Sequence, residues 1–253
     1  MIEKKYYHMI MYISFLLIFV GCSDPKAKKT SSNLNEKDKI ENDTTKNATT
    51  KNQQTSDSVV NFVPKNFVLT EKIYGDLNKD GIQDCILMLK GTDKKSFYKH
   101  EYRGELDRNR RGLIILFKEN KTYKLIVKNV DCFSSENEDG GVYYAPELSV
   151  GINKGKLFVD YAHGRYGYWS YCFRFQNADF ELIGYDSSSN RGPTVQNKTS
   201  INFVTKKELT SDNIYKNEED STEVFVDTWR NLQIDKLLKL SEIKDFDEID
   251  VTE

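Results

Sequence analysis

The chain has 253 residues, a net charge of −2 and a pI near 6.0, which suits one domain or two small ones and offers no basic field for nucleic acid. Charged residues make up 30% and aromatics 12%, with Tyr (15) and Phe (14) dominating and only 4 Pro. That balance favours strands over helices.

Residues 1–21 read as a secretory signal. Lys4 and Lys5 form the positive start, and Ile10 to Val20 is an apolar run too short to span a bilayer as a helix. It ends in Phe19-Val20-Gly21-Cys22. This resembles the bacterial lipoprotein box, in which a small residue precedes a cysteine that is diacylated. Gly21 matches the small residue and Cys22 the lipidated one, while Phe19 departs from the usual aliphatic residue. The resemblance implies a lipid anchor in the bacterial cell envelope, on an outer-membrane, periplasmic or surface face. Two acyl chains anchor stably where one is marginal.

Residues 22–58 form the next segment, and from 23 on they contain no aromatic residue. Such a stretch buries too little apolar surface to offset its ordering entropy, which predicts a disordered tether. Residues 59–253 are different: a β-rich domain large enough for a real core.

The predicted strands come in chain order. Phe67 to Tyr74 and Cys85 to Leu89 flank a polar loop. Gly112 to Lys118 and Tyr123 to Val130 form a hairpin, as do Leu148 to Ile152 with Lys156 to Tyr161, and Trp169 to Gln176 with Phe180 to Tyr185. Ser200 to Thr205 is a further strand, and 206–222 reads as loop. In the tail, Trp229, Leu232, Leu237, Leu240, Ile243 and Phe246 have a mixed period that fits either a strand and turn or a short helix. Residues 91–111 and 131–146 read as long polar loops. The sum is an all-β, mostly antiparallel meander, sandwich-like or an incomplete propeller.

The polar loop carries the clearest chemistry. Counting from Asp76 as one, oxygen donors fall at one, three, five and nine: Asp76, Asn78, Asp80 and Asp84. Ile82 at seven can offer its carbonyl, and Gly81 at six permits a sharp turn. A calcium ion takes six to eight oxygens, so this spacing predicts a structural Ca2+ site, with water or a bidentate carboxylate completing the shell. The competing reading is a turn in which Asp and Asn side chains cap their own backbone. The pattern Asp-x-Asn-x-Asp-Gly-x-x-Asp, followed by a hydrophobic strand, resembles the calcium hairpins of FG-GAP and VCBS repeats. The resemblance covers about residues 67–90 and implies calcium held between two strands. A second copy of the motif is absent from the sequence, and a propeller needs several blades. The chain as a whole therefore resembles a bacterial lipoprotein carrying one such hairpin.

The densest aromatic and cationic cluster is His163-Gly164-Arg165-Tyr166-Gly167-Tyr168-Trp169. With Tyr143, Tyr144 and Tyr161 it would form a face that stacks on sugars or grips a peptide. Packing of the same rings on a sheet is the plainer alternative. His163 and Arg165 would serve catalysis only with a carboxylate such as Glu136 or Asp139. No nucleophile elbow, zinc helix or phosphate loop is present in the sequence. Beyond Cys22 there are Cys85, Cys132 and Cys172, which allow one disulfide, such as Cys132 with Cys172, or three buried thiols. The run Asp107 to Arg111 reads as a solvated, self-paired loop.

The leading functional expectation is a membrane-anchored, calcium-stabilised, non-enzymatic binding module with an envelope protein or glycan as partner. An envelope hydrolase acting on glycan or peptide is the alternative, and an immunity or accessory protein of a toxin system the weaker one.

Overall fold

A computed structural model describes residues 55–139, 144–214 and 223–251. The signal segment, Cys22, Tyr143 and all of the tether up to residue 54 lie outside the described residues. The described chain builds two antiparallel sheets. The first contains β1 (Thr55–Ser56), β2 (Phe67–Gly75), β3 (Asp84–Gly91), β6 (Arg111–Glu119) and β7 (Thr122–Phe133), in the order β1-β7-β6-β3-β2. Between β3 and β6 stands a small separate hairpin of β4 (Phe97–His100) and β5 (Gly104–Asp107). The second sheet contains β8 (Glu147–Asn153), β9 (Lys156–Ala162), β10 (Gly167–Gln176), β11 (Asp179–Arg191), β12 (Thr194–Asn202), β13 (Lys207–Asn213) and β14 (Phe225–Asn231). These strands pair strictly in sequence order. Neither sheet closes into a barrel, and the fold is an all-β, sandwich-like meander.

Side-chain alternation explains why the sheets pack. Ile86 and Met88 of β3 and Leu113, Ile115 and Phe117 of β6 face one core. Leu157 and Val159 of β9, Tyr171 and Phe173 of β10, and Phe180 and Leu182 of β11 face it from the other sheet. The opposite parity of β3 and β6 is buried too. Cys85, Leu87, Leu89, Ile114 and Leu116 lie under Val59 and Phe62 of a short 3-10 turn. Burial on both faces is why these two strands read as continuous apolar runs.

All three predicted hairpins are present. Lys154-Gly155 (φ 50° and 70°) joins β8 to β9, and Asn177-Ala178 (φ 52° and 60°) joins β10 to β11. Two consecutive left-handed residues give the turn whose twist matches the flanking strands. Three expectations change. Thr55 and Ser56 pair with Lys124 and Tyr123, so ordered chain begins before Val59. The expected loop 91–111 contains the β4–β5 hairpin, and the expected loop 206–222 contains β13, bonded to β12 and β14 on both sides. Its sequence hides it, because Leu209 is the one large apolar side chain in Lys207–Asn213.

The tail resolves into extended chain with two 3-10 turns, Leu240–Glu242 and Phe246–Glu248. Trp229 belongs to β14 and is 66% exposed. From Leu232 on, the chain returns across the sandwich. The Leu182 amide donates to the Leu238 carbonyl (2.8 Å), and the Asn129 side-chain amide donates to the carbonyls of Leu240 (2.8 Å) and Ile243 (2.7 Å). Phe246 fills the space between the sheets, its ring 4.8 Å from Phe133 and 5.3 Å from Tyr171.

Candidate calcium loop and ligand face

The loop between β2 and β3 is built on its own backbone. Asp76 accepts from the amides of Lys79 (2.6 Å), Asp80 (3.2 Å) and Gly81 (3.0 Å). Asn78 Oδ1 accepts from the Asp80 amide (3.0 Å), and Asp80 Oδ1 from the Ile82 amide (2.7 Å). Lys79 and Gly81 take positive φ, 65° and 84°, which wraps the chain around its side chains. Asp84 is fully buried and accepts from the amides of Leu77 (2.8 Å) and Lys118 (3.0 Å). Burial raises the Asp84 pKa, the two amides oppose that, and the Asp80 charge adds to the rise. No cationic side chain pairs with Asp84 among the described residues.

The loop also touches the second sheet. Leu77 is buried in the core shared by both sheets. Gly75 lies so near β8 that an added Cβ would stand 2.8 Å from Ile152, and the Lys79 stem lies over Gly155 of the β8–β9 turn. The loop is therefore positioned between the sheets and not merely between two neighbouring strands.

The donor set fits a hard cation. Three carboxylates, the Asn78 amide oxygen and the Ile82 carbonyl are all oxygen ligands. Asp76 Oδ1 already accepts from two amides, whereas Asp76 Oδ2 accepts one amide and the two Asp80 oxygens one each, from the Ile82 amide and the Asn78 side chain, so these three oxygens keep a lone pair for a cation. Among the described residues, no three His, Cys, Asp or Glu side chains stand close enough to hold a metal by themselves. A calcium shell here would need Asn78, Ile82 and some inward movement of the carboxylates.

The predicted ligand face divides in two. Tyr144, His163, Arg165 and Tyr166 line one open depression of about 350 Å3, with Glu147 at its edge. The turn from β9 to β10 positions them. The His163 amide donates to the Gly167 carbonyl (2.9 Å) and the Tyr166 amide to the His163 carbonyl (3.0 Å). Gly164 (φ 54°) and Gly167 (φ 113°) allow this tight path, and a Cβ at Gly167 would collide with the Ser188 carbonyl. Tyr168 is half exposed. Trp169, one position on, turns the other way and stacks on Tyr161, with ring centres 5.1 Å apart and planes 15° from parallel.

Trp169 lines a separate cavity of about 400 Å3 with Tyr161, Tyr171, Tyr185 and Phe246, rimmed by Glu138, Asp139 and Asp247. Tyr171 and Tyr185 face each other across the predicted β10–β11 hairpin, whereas Phe246 and Asp247 arrive from the returning tail, whose place here sequence spacing gave no signal of. The Tyr161 hydroxyl is buried without a hydrogen-bond partner, and burial pushes its pKa well up.

No His–carboxylate pair forms among the described residues. His163 Nε2 is buried and unpartnered. Asp139 pairs with Arg108 (2.8 Å), which holds its carboxyl below the usual range. Glu136 pairs with Lys90 and lies 3.8 Å from Arg111. Burial alone would lower the Lys90 pKa, but Asp107 and Glu136 outweigh it and raise it. The arginine run is tied down more than solvated. Arg108 lies over the Tyr98 ring at 4.5 Å, and Arg110 meets Asp245 at 2.9 Å and the Asp131 carbonyl at 2.6 Å.

Cys85, Cys132 and Cys172 are free. Cys132 lies in the core between the sheets, whereas Cys172 alternates with the core residues Tyr171 and Phe173, so the Cys132–Cys172 bridge does not form. Burial pushes the Cys85 thiol to about 11 and the Cys132 thiol to about 12. Both are inert apolar fillers at neutral pH.

The chain matches no family model, no curated protein and no solved structure, so its residues and their geometry carry the functional reading.

Proposed function

We propose that this chain is a lipid-anchored binding module of the bacterial cell envelope whose β domain is stabilised by calcium. The observation that carries the reading is the loop at 76–84. It gathers oxygen donors beside Asp84, a buried carboxylate without a cationic partner, at the junction of the two sheets. A cation there would compensate that charge and secure Leu77 in the shared core. Weak, structural binding is the pattern of extracellular calcium modules. The anchor is Cys22, followed by the tether. The interaction surface has two parts, the depression at Tyr144, His163, Arg165 and Tyr166 with the half-exposed Tyr168, and the separate cavity at Trp169, and the partner is an envelope protein or glycan.

The hydrolase reading loses support from the same region. His163 has no carboxylate to orient it among the described residues, and Glu136 and Asp139 are engaged with Lys90, Arg108 and Arg111. Calcium is expected to raise the melting temperature of the wild-type protein, and Asp80→Ala to abolish that rise. A wild-type melting curve that ignores calcium overturns the metal assignment. Pull-down from envelope extract with and without calcium tests the binding role.

A further inference from the structure

We infer that the aromatic cavity beneath Trp169 binds an organic cation, an ammonium or guanidinium group. The inference rests on the reading of the domain as a binding module and names the ligand chemistry of one of its sites.

The cavity is about 400 Å3, enough for the end of a lysine or arginine side chain or for an amino sugar. Its wall is aromatic. Tyr161 and Trp169 are stacked, and Tyr171 stands 5.3 Å from Tyr185 and 5.3 Å from Phe246. Aromatic faces are electronegative and attract a desolvated cation.

Its rim carries charge that the protein leaves uncompensated. Three carboxylates line the cavity, but Asp139 is neutralised by Arg108. Glu138 accepts from the Ser135 hydroxyl (2.7 Å) and amide and forms no ion pair among the described residues. Asp247 forms none either among the described residues. The nearby cations are committed elsewhere: Arg108 to Asp139, and Arg111 to the Ser134 carbonyl (2.8 Å) and Glu136. Two unmatched carboxylates beside stacked rings repel an anion and leave a neutral ligand with nothing to balance them.

Tyr161 is 3% exposed and lines the cavity, but its unpartnered hydroxyl oxygen has almost no surface open to it, so what Tyr161 offers a ligand is its ring.

The test uses the full-length chain in detergent carrying Trp229→Phe, which leaves Trp169 as the single tryptophan. Its emission is followed during titration with tetramethylammonium, Nα-acetyl-lysine amide and glucosamine, at constant ionic strength, with tert-butanol as the neutral control. At least one cation should give a saturable change and tert-butanol none. The lysine and glucosamine arms separate a peptide source from an amino-sugar source. Asp247→Asn with Glu138→Gln, both at the rim, should weaken binding about tenfold or more. Absence of a saturable response to all three cations, an equal response to tert-butanol, or a response untouched by the double substitution overturns the inference. If the double variant still captures an envelope partner while the cations fail to bind, the cavity assignment falls and the binding-module reading stands. Cation binding with no partner captured gives the reverse.

Discussion

Glu181 shows how one side chain ties local and distant structure together. It is nearly buried and accepts from the side-chain amides of Gln176 and Asn177, while its backbone pairs with Lys239 of the returning tail. Burial on its own would raise its pKa. The two amides, helped by the charges of Lys239 and Arg174, outweigh burial and hold the carboxyl below its usual value. The unfolded chain therefore binds this proton more readily than the folded one. The stabilisation is present above the unfolded pKa of about 4.3 and disappears as pH falls through the folded value. Glu181→Gln is expected to lower the melting temperature at pH 7, with the gap to wild type closing below about pH 4. Thermal melts across that range check it. At this scale the sequence was partly legible. The oxygen spacing from Asp76 to Asp84 is visible in the residues, because one short loop contains all of it. The role of Asp84 as acceptor for the Lys118 amide is not, because that donor arrives from a different strand.

The elements follow the same division. The β8–β9 and β10–β11 hairpins were readable because turn residues and alternating strands are neighbours in sequence. β13 was not, since its polar side chains give no period and its identity lies in backbone bonds to both neighbours. The tail escaped for a related reason. Leu232, Leu240, Ile243 and Phe246 are spaced by the shape of the surface they cover, not by a regular structure. Asn129 is the latch that holds it. Asn129→Ala would leave the buried carbonyls of Leu240 and Ile243 without donors, at a cost of about 1–3 kcal/mol. Urea unfolding should show a lower midpoint, and limited proteolysis should gain cuts between 232 and 251.

Across the whole molecule, protection is graded from the inside outward. β3 and β6 are buried on both faces, while β14 ends its sheet with mostly exposed side chains and the β4–β5 hairpin stands apart from both sheets. Amide hydrogen exchange should be slowest in Cys85–Leu89 and Leu113–Leu116, and much faster in Phe225–Asn231 and Phe97–Asp107. A uniform profile would contradict the double-sided core. The returning tail also sets a timetable. The pairs that close the core join residues 111 and 114 positions apart, from Asn129 to Leu240 and Ile243. Contacts of such separation are slow to form, because the intervening chain must first be gathered. Both sheets can assemble their hairpins locally while the chain is still emerging from a ribosome or a translocation pore. The sandwich acquires its final seal only when Phe246 is free to enter, and until then the apolar faces of both sheets depend on whatever guards a half-made protein from its neighbours.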